Sequence, residues 1–302
     1  MLRSGTYSIV AHDPATGEMG VAVQSHWFSV GSVVPWTRAG VGAVAVQSVP
    51  DPATGVRILD RLEAGEAPAE ALAAELAGDE HAAFRQIAVV AADGRVAAHT
   101  GESCMDHAGD VVGDGFTCQA NIMASERVWG AMAEAFPQAS GSLAHRLLAA
   151  LDAAEAAGGD IRGRQSCSIT VAPAQGEPWR RTVDLRVEDA PEPLEDMRRL
   201  LDVHGAYALA TEGDDLVSEG RLDEAGEKFR QAAGLAPDNH ELLFWSGMSA
   251  FQAGQPEAGL EQVRRAIEQQ PGWAELLPRL SEVIAPSAPA VSEALGLTPP
   301  QT

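Results

Sequence analysis

The chain has 302 residues, 45% of them hydrophobic, and carries 21 basic against 43 acidic side chains for a formal charge of −22. That length holds a full core and more than one domain, and the apolar content is that of a globular chain. The acidic surface repels phosphate backbones, and no apolar run reaches the roughly 18 residues that span a bilayer, so neither nucleic acid nor membrane is expected as a partner.

No apolar stretch precedes His12-Asp13-Pro14, so a secretory signal is not expected and the cytoplasm is the expected location. The one lysine is Lys228, which leaves the long segment before it without Schiff-base or lysine-base chemistry. The three cysteines, Cys104, Cys118 and Cys167, are an odd number and read as buried, inert thiols. Cys104-Met-Asp-His107 lacks a paired CxxC and a fourth spaced ligand, so no metal is expected, and no cofactor.

In chain order, "TYSIVA" (6–11) and "MGVAVQ" (19–24) are short β-type runs joined by "HDPATGE", whose Pro14 and Gly17 mark a hairpin. "SVVPWTRAGVGAVAVQS" adds two strand-like pieces around Thr37-Arg38-Ala39-Gly40. From Pro52 to about Gly78 apolar residues fall at helical spacing, and Gly65 and Pro68 divide the stretch into two helices. "RQIAVVAADGRVAAHTG" is a hairpin turning at Asp93-Gly94, and "FTCQANIM" is a further strand. A helix is predicted from about Ser125 to Phe136, with Ser125 as its cap, and a second over "SLAHRLLAALDAAEAAGG", stopped by Gly158-Gly159. "RQSCSITVA" and "RRTVDLRVED" close the region as two strands. This order predicts an α+β domain of two packed antiparallel sheets with helical layers outside.

"EDAPEPLEDM" reads as the turn out of that domain, and beyond it the sequence repeats. Gly213 and Gly247, Gly220 and Gly254, Ala232 and Ala266, and Pro237 and Pro271 share one 34-residue offset, the signature of tetratricopeptide helix pairs. Phe229 and Val263 hold the large apolar position in each copy. "AELLPRLSEVI" is predicted as the solvating last helix and "APSAPAVSEALGLTPPQT" as a loose tail. The expected domains are therefore 1–202, 203–285 and a flexible tail at 286–302, with 1–5 as a leader.

Gly5-Thr6 immediately precedes the first strand. A Thr that becomes residue one uses its own α-amine, of pKa about 7.7–8.0, as the base for its hydroxyl. Such a nucleophile sits at the start of a strand in a sandwich of this kind. Other polar residues stand out on apolar strands. Gln119 and Asn121 share one strand face, and Asn121 is the expected carbonyl or oxyanion donor. Ser25 and His26 follow "GVAVQ", where His26 either orients substrate or caps the strand. "GDIRGRQS" gathers Asp160, Arg162, Arg164, Gln165 and Ser166, and either Arg164 forks a substrate carboxylate or the cluster pins a turn.

"TYSIVAHDPATGEMGVAVQSHWFSVGSVVPWTRAGVGAVAVQS", "GRVAAHTGESCMDHAG", "GFTCQANIM" and "GGDIRGRQSCSITV" together resemble the domain-of-unknown-function family numbered 1028, over about residues 6–202. The resemblance implies an Ntn-hydrolase-like fold, a four-layer αββα sandwich, followed here by a small all-α tetratricopeptide-repeat domain. Members typically begin Met-Thr-Phe/Tyr-Ser, and Thr6 matches that Thr with "MLRSG" ahead of it. Exposure of Thr6 then needs cleavage at Gly5-Thr6, unless the start codon is misassigned. The layout also resembles the proteasome-type start, where an acid and a lysine follow the nucleophile. Ser25 lies near the first place and Arg38 near the second, where a fixed charge tunes the amine or binds an anionic substrate. The expected function is hydrolysis of a small amide or short peptide by Thr6 after loss of residues 1–5. The alternative is a non-catalytic sandwich that binds a ligand or assembles, with its helical repeats holding a protein partner or a homodimer contact.

Overall fold

The computed structural model describes residues 5–105 and 107–297. Most of the predicted leader (residues 1–4) and the end of the predicted tail (298–302) lie outside the described residues, as does Asp106.

Strands β1 (Thr6–His12) and β2 (Met19–Ser25) form the first hairpin, and β3 (Pro35–Arg38) and β4 (Gly42–Ser48) the second. Helices α1 (Pro52–Glu63) and α2 (Pro68–Ala77) follow. The Asp51 carboxylate starts α1 by accepting from the Ala53 N–H at 3.1 Å, with Pro52 in the first turn, where a missing N–H costs nothing. Strands β5 (Arg85–Ala91), β6 (Val96–Thr100), β7 (Gly109–Val112) and β8 (Phe116–Asn121) precede α3 (Val128–Ala135) and α4 (Leu143–Ala156). The predicted helix at Ser125 starts three residues late, because the Ser125 hydroxyl accepts from Arg127 N–H in a turn ahead of the helix. Strands β9 (Ser166–Ala172) and β10 (Val183–Val187) complete the β-structure.

The strands form two antiparallel sheets, six-stranded in the order β10-β9-β2-β1-β8-β7 and four-stranded in the order β3-β4-β5-β6. Each sheet is covered on one face by helices and on the other by its partner sheet. Tyr7, Ile9 and Ala22 point from the larger sheet into a core with Leu147, Leu151 and Met132 of α3 and α4. Val44, Val46, Ile87 and Val89 point from the smaller sheet toward Ile58 and Leu59 of α1 and Leu72 of α2. Between the sheets lie Val10, Val21, Val23, Ala43, Ala45, Ala88 and Val90. Burial on both faces explains why the central strands carry nearly continuous apolar runs, whereas edge strand β10 alternates buried or half-buried residues with exposed ones. The segment VAVQS occurs twice, at 21–25 and 44–48, with opposite facing. Val21 and Val23 look between the sheets, while Val44 and Val46 look at helices.

A second unit begins at 202, inside the long helix α5 (Pro193–Ser218). It contains α6 (Leu222–Leu235), α7 (His240–Gln252), α8 (Pro256–Gln269), α9 (Gly272–Leu276) and α10 (Ala288–Ala294). Phe229 packs against Gly213, and the α7–α8 crossing is set by Gly247 and Gly259, where a Cβ on either would meet the other's carbonyl oxygen at 2.7 or 2.5 Å. Two expectations are corrected here. The last helix over 274–284 is not continuous: α9 gives way to a 3-10 turn at Leu277–Arg279, where Pro278 sits. The stretch from 286 is not wholly loose, because α10 buries Ala288 and Val291 in the same core as Phe244 and Val263.

Candidate active site

At one end of the space between the sheets the apolar packing gives way to hydroxyls and amides. The inward residues there are Thr6 and Ser8 on β1, Ser25 on β2, Gln47 on β4, Gln86 on β5 and Gln119 and Asn121 on β8, all fully buried. Ser8 Oγ donates to Gln47 Oε1 at 2.6 Å, and Gln119 Nε2 donates to Ser8 Oγ. Gln86 Oε1 accepts from Gln47 Nε2 at 2.7 Å and from Asn121 Nδ2 at 2.9 Å. Gln86 Nε2 donates to the carbonyls of Ala120 (2.9 Å) and Gly109 (3.2 Å) and to Thr100 Oγ1 (2.9 Å), whose hydroxyl passes on to Asp110 Oδ1 at 2.5 Å. Buried polar groups are costly unless paired, so this network holds both sheets in one register at the Thr6 end.

Thr6 opens β1, with Ser25 and Asn121 directly opposite on its two neighbours. Thr6 Oγ1 donates to Ser25 Oγ at 3.2 Å. Ser25 Oγ donates to the carbonyl oxygen of Gly5, and Arg162 Nη2 donates to the same oxygen at 2.9 Å. Arg162 is aligned by Asp160, with Nε to Oδ1 at 3.0 Å and Nη2 to Oδ2 at 2.7 Å. The Asp160 carboxylate is fully buried and also accepts from the backbone N–H groups of Arg162 (2.9 Å) and His26 (3.2 Å). A Cβ at residue 5 would lie 2.8 Å from Arg162 Nη2, 2.8 Å from Asp160 Oδ2 and 2.9 Å from Ile122 Cβ, so only glycine fits this place.

Backbone strain gathers at the same end. Ser48 (φ 70°) follows Gln47 and Ile122 (φ 60°) follows Asn121. Positive φ is most costly for a β-branched residue, and each such position stores about 1–3 kcal/mol. The turn at Ile122 lets its carbonyl accept from Ile161 N–H at 3.2 Å, which pins the Asp160–Arg162 segment beside Gly5.

Of the residues singled out in the sequence, Thr6, Ser25 and Asn121 are brought together. Asn121 is not placed as a carbonyl donor, because its Nδ2 is engaged by Gln86 and its Oδ1 has no partner among the described residues. Gln119 lies one cross-strand pair deeper, bonded to Ser8 inside the network. His26 sits at the exposed end of β2, its ring Nδ1 3.2 Å from the Arg164 carbonyl. Arg164 itself faces away, paired with Glu155 at 2.6 Å and with Glu192. Glu155 also accepts from Tyr7 Oη at 2.6 Å on the helix side of the sheet, and burial, followed by the Glu155 charge, raises the Tyr7 pKa well above its ordinary value.

Arg38 is not brought to Thr6. Thr37 points between the sheets, so Arg38 points outward to α1, pairing with Asp60 (2.8 Å) and Glu63 (2.5 Å). It lies across from Gly42, five residues along β4 from Gln47, or about 17 Å at strand rise. The guanidinium that does reach Gly5 is Arg162, and the network beside Thr6 is completed by Gln47 and Gln86, each legible in the sequence only as a polar residue at one end of an apolar run. All three cysteines are free thiols, and burial pushes Cys167 up to about 12.

Residues 6–197 match the family of unknown function DUF1028, which is most of the chain. The chain belongs to that family. Residues 216–279 match a tetratricopeptide repeat, a class that commonly mediates protein interactions. The crystal structure of protein SPO2555 from Silicibacter pomeroyi, assigned to the same DUF1028 family, is 34% identical, covers 66% of this chain and 85% of its own, and superposes with a TM-score of 0.61. Anbu, an ancestral β-subunit from Yersinia bercovieri, is 12% identical over 64% of this chain and 91% of its own, with a TM-score of 0.31, a likeness too faint to carry an argument. No curated protein matches the chain. Among the described residues no helix is long and apolar enough to cross a membrane.

Proposed function

We propose that the DUF1028 domain is an N-terminal-nucleophile amidohydrolase of the αββα-sandwich class, acting on a small amide or short peptide, with Thr6 as nucleophile once residues 1–5 are removed. The observation that carries this reading is the grip of Ser25 Oγ and Arg162 Nη2 on the Gly5 carbonyl, beside a Thr6 hydroxyl already bonded to Ser25. The order of layers, helices outside two antiparallel sheets, supports the fold class.

A peptide carbonyl held by two donors next to the following residue's hydroxyl is arranged for an N-to-O acyl shift. Thr6 Oγ attacks the Gly5 carbonyl carbon, the C–N bond breaks, and the hydroxyl proton ends on the freed nitrogen by way of Ser25 Oγ. Water cleaves the resulting ester, releasing residues 1–5 as a carboxylic acid and leaving Thr6 with a free α-amine. In turnover the amine takes the Oγ proton as that oxygen attacks an amide carbon, then delivers it to the leaving nitrogen, and water resolves the acyl ester. Ser25 and Arg162, relieved of Gly5, serve as the oxyanion donors, each contributing on the order of 10²–10³ in rate. This role replaces the one expected of Asn121, and Arg38 takes no part in it.

The test is a chain made to begin at Thr6, assayed for amine release over a panel of small amides and short peptides. Turnover that vanishes in Thr6→Ala supports the reading, and a folded, trimmed protein inert on the whole panel contradicts it. A second reading, a non-catalytic sandwich whose repeats bind a protein partner or a second copy, is favoured by a groove of about 600 Å³ in the helical unit. It is lined by Phe229, Trp245 and Met248, with Val283 on its rim 94% exposed. Such concave helical surfaces hold peptide segments, and sedimentation at rising concentration separates partner binding from self-association.

A further inference from the structure

The orientation of the Asn121 amide follows from backbone groups. The carbonyls of Ala120 and Gly109 only accept, so the Gln86 atom facing them is nitrogen and the one facing Asn121 is oxygen. Gln86 Oε1 in turn requires nitrogen from Asn121, at 2.9 Å, which turns Asn121 Oδ1 away from the network. That oxygen is fully buried, has no partner among the described residues, and belongs to the residue directly opposite Thr6, on the same face of the sheet. Directly opposed residues keep their Cβ atoms about 4.5–5.5 Å apart, within reach of one hydrogen bond from a short side chain. An unpaired buried acceptor is costly, so its retention beside Thr6 calls for a donor.

Cleavage at Gly5–Thr6 supplies one. A peptide nitrogen carries one N–H, whereas a terminal ammonium carries three, and the two new donors need acceptors inside a buried site. We infer that Asn121 Oδ1 is the acceptor that holds the Thr6 α-amine in the cleaved protein, with Ser25 Oγ, freed from Gly5, as its companion. Asn121 is thus a positioning residue that acts through its oxygen: it aims the amine at the Thr6 hydroxyl and stabilises the amine's charged form. This rests on the reading of Thr6 as an N-terminal nucleophile. The other titratable groups facing the amine's surroundings are Asp160 and Arg162 from the segment after α4, the His26 ring at the end of β2, Asp110 behind Thr100 and Gln86, and Glu155 behind Tyr7. They are common to every variant below and cancel in the comparison.

The experiment measures the rate of α-amine acylation against pH by mass spectrometry, in chains made to begin at Thr6 and carrying Asn121, Asn121→Leu or Asn121→Asp. It needs no turnover, so it reads even where no amide is hydrolysed. Removing the acceptor in Asn121→Leu is expected to lower the amine pKa, raising labelling at a pH below the titration by roughly tenfold or more. Asn121→Asp keeps an oxygen toward the amine and, when protonated, a donor toward Gln86, so it is expected to hold the pKa at or above the parent's. Identical titrations in all three chains overturn the inference. Where Asn121→Leu does not fold, a titration in Asn121→Asp that falls below the parent's overturns it equally. Amide turnover by the parent with unchanged amine titration in the variants sinks this inference alone, leaving the nucleophile reading intact.

Discussion

Replacing Gln86 by leucine tests whether the amide network, rather than hydrophobic contact, secures the Thr6 end of the sandwich. Gln86 is fully buried and joins β5 to β4, β6, β7 and β8, its oxygen accepting from two amides and its two N–H groups shared among three acceptors. Leucine fills a similar volume but, among the described residues, leaves Asn121 Nδ2 with no other acceptor and Gln47 Nε2 with only a 3.4 Å contact to the Thr6 carbonyl. Each buried donor stranded in this way costs about 1–3 kcal/mol, and two give roughly 2–6 kcal/mol. For a domain of this size that lowers the melting temperature by about 4–24 °C, at roughly 2–4 °C per kcal/mol. Differential scanning calorimetry on the DUF1028 domain's transition reads it directly. A shift under about 1 °C would refute the reasoning, since it would mean the network contributes no more than apolar packing of the same shape.

Ser25→Ala and Arg162→Met each remove one donor from the Gly5 carbonyl, and each is expected to slow appearance of the Thr6 N-terminus by about 10² or more, followed by intact mass over time. In Asp79, the hydrogen bond from Arg85 at 2.6 Å holds the carboxyl below its ordinary value. Because the folded pKa is the lower one, this stabilisation is full above the unfolded value of about 3.9 and is lost as pH falls through the folded value. Asp79→Asn is therefore expected to cost stability at neutral pH, with the gap from wild type closing in acid; a gap constant with pH contradicts it. Gly259→Val drives a methyl-bearing carbon toward the Gly247 carbonyl oxygen at 2.5 Å and Phe251 N at 2.6 Å, so α7 and α8 must separate. A loss of about 1–3 kcal/mol is expected in the helical unit's transition, with the DUF1028 domain's transition unchanged.

The elements were legible where their periodicity was strong. The hairpins, the two helix pairs and the 34-residue offset all follow from spacing alone, and the Gly247–Gly259 crossing shows why small residues recur. Facing was not legible. Identical VAVQS segments present opposite faces, so Ser25 reaches Thr6 from the first copy and Gln47 from the second. Period-two alternation cannot tell which face meets a helix and which a second sheet when both are buried. In the first copy Gln24 points to the helices, with neither amide atom partnered among the described residues.

The arginines show the same limit. The proteasome-type layout puts Arg38 near Thr6, yet one residue of strand phase sends it outward to Asp60 and Glu63. Arg162 lies 156 positions after Thr6 in the sequence, and reaches Gly5 only because β9 pairs with β2 and the Ile122 turn holds its loop. Sequence spacing carries no information about such a contact. The tail failed for another reason: a Pro- and Ala-rich composition reads as loose, yet its alanines are small enough to pack α10 into the helical core.

The central claim is that Thr6 becomes the N-terminal residue through its own hydroxyl. The most direct measurement is the intact mass and N-terminal sequence of the purified full chain beside Thr6→Ala. The account predicts a wild-type chain that begins Thr-Tyr-Ser, lacking Met-Leu-Arg-Ser-Gly, and a variant that keeps them. A wild-type chain that retains residues 1–5 after prolonged incubation, or a variant trimmed as fast as wild type, would contradict it.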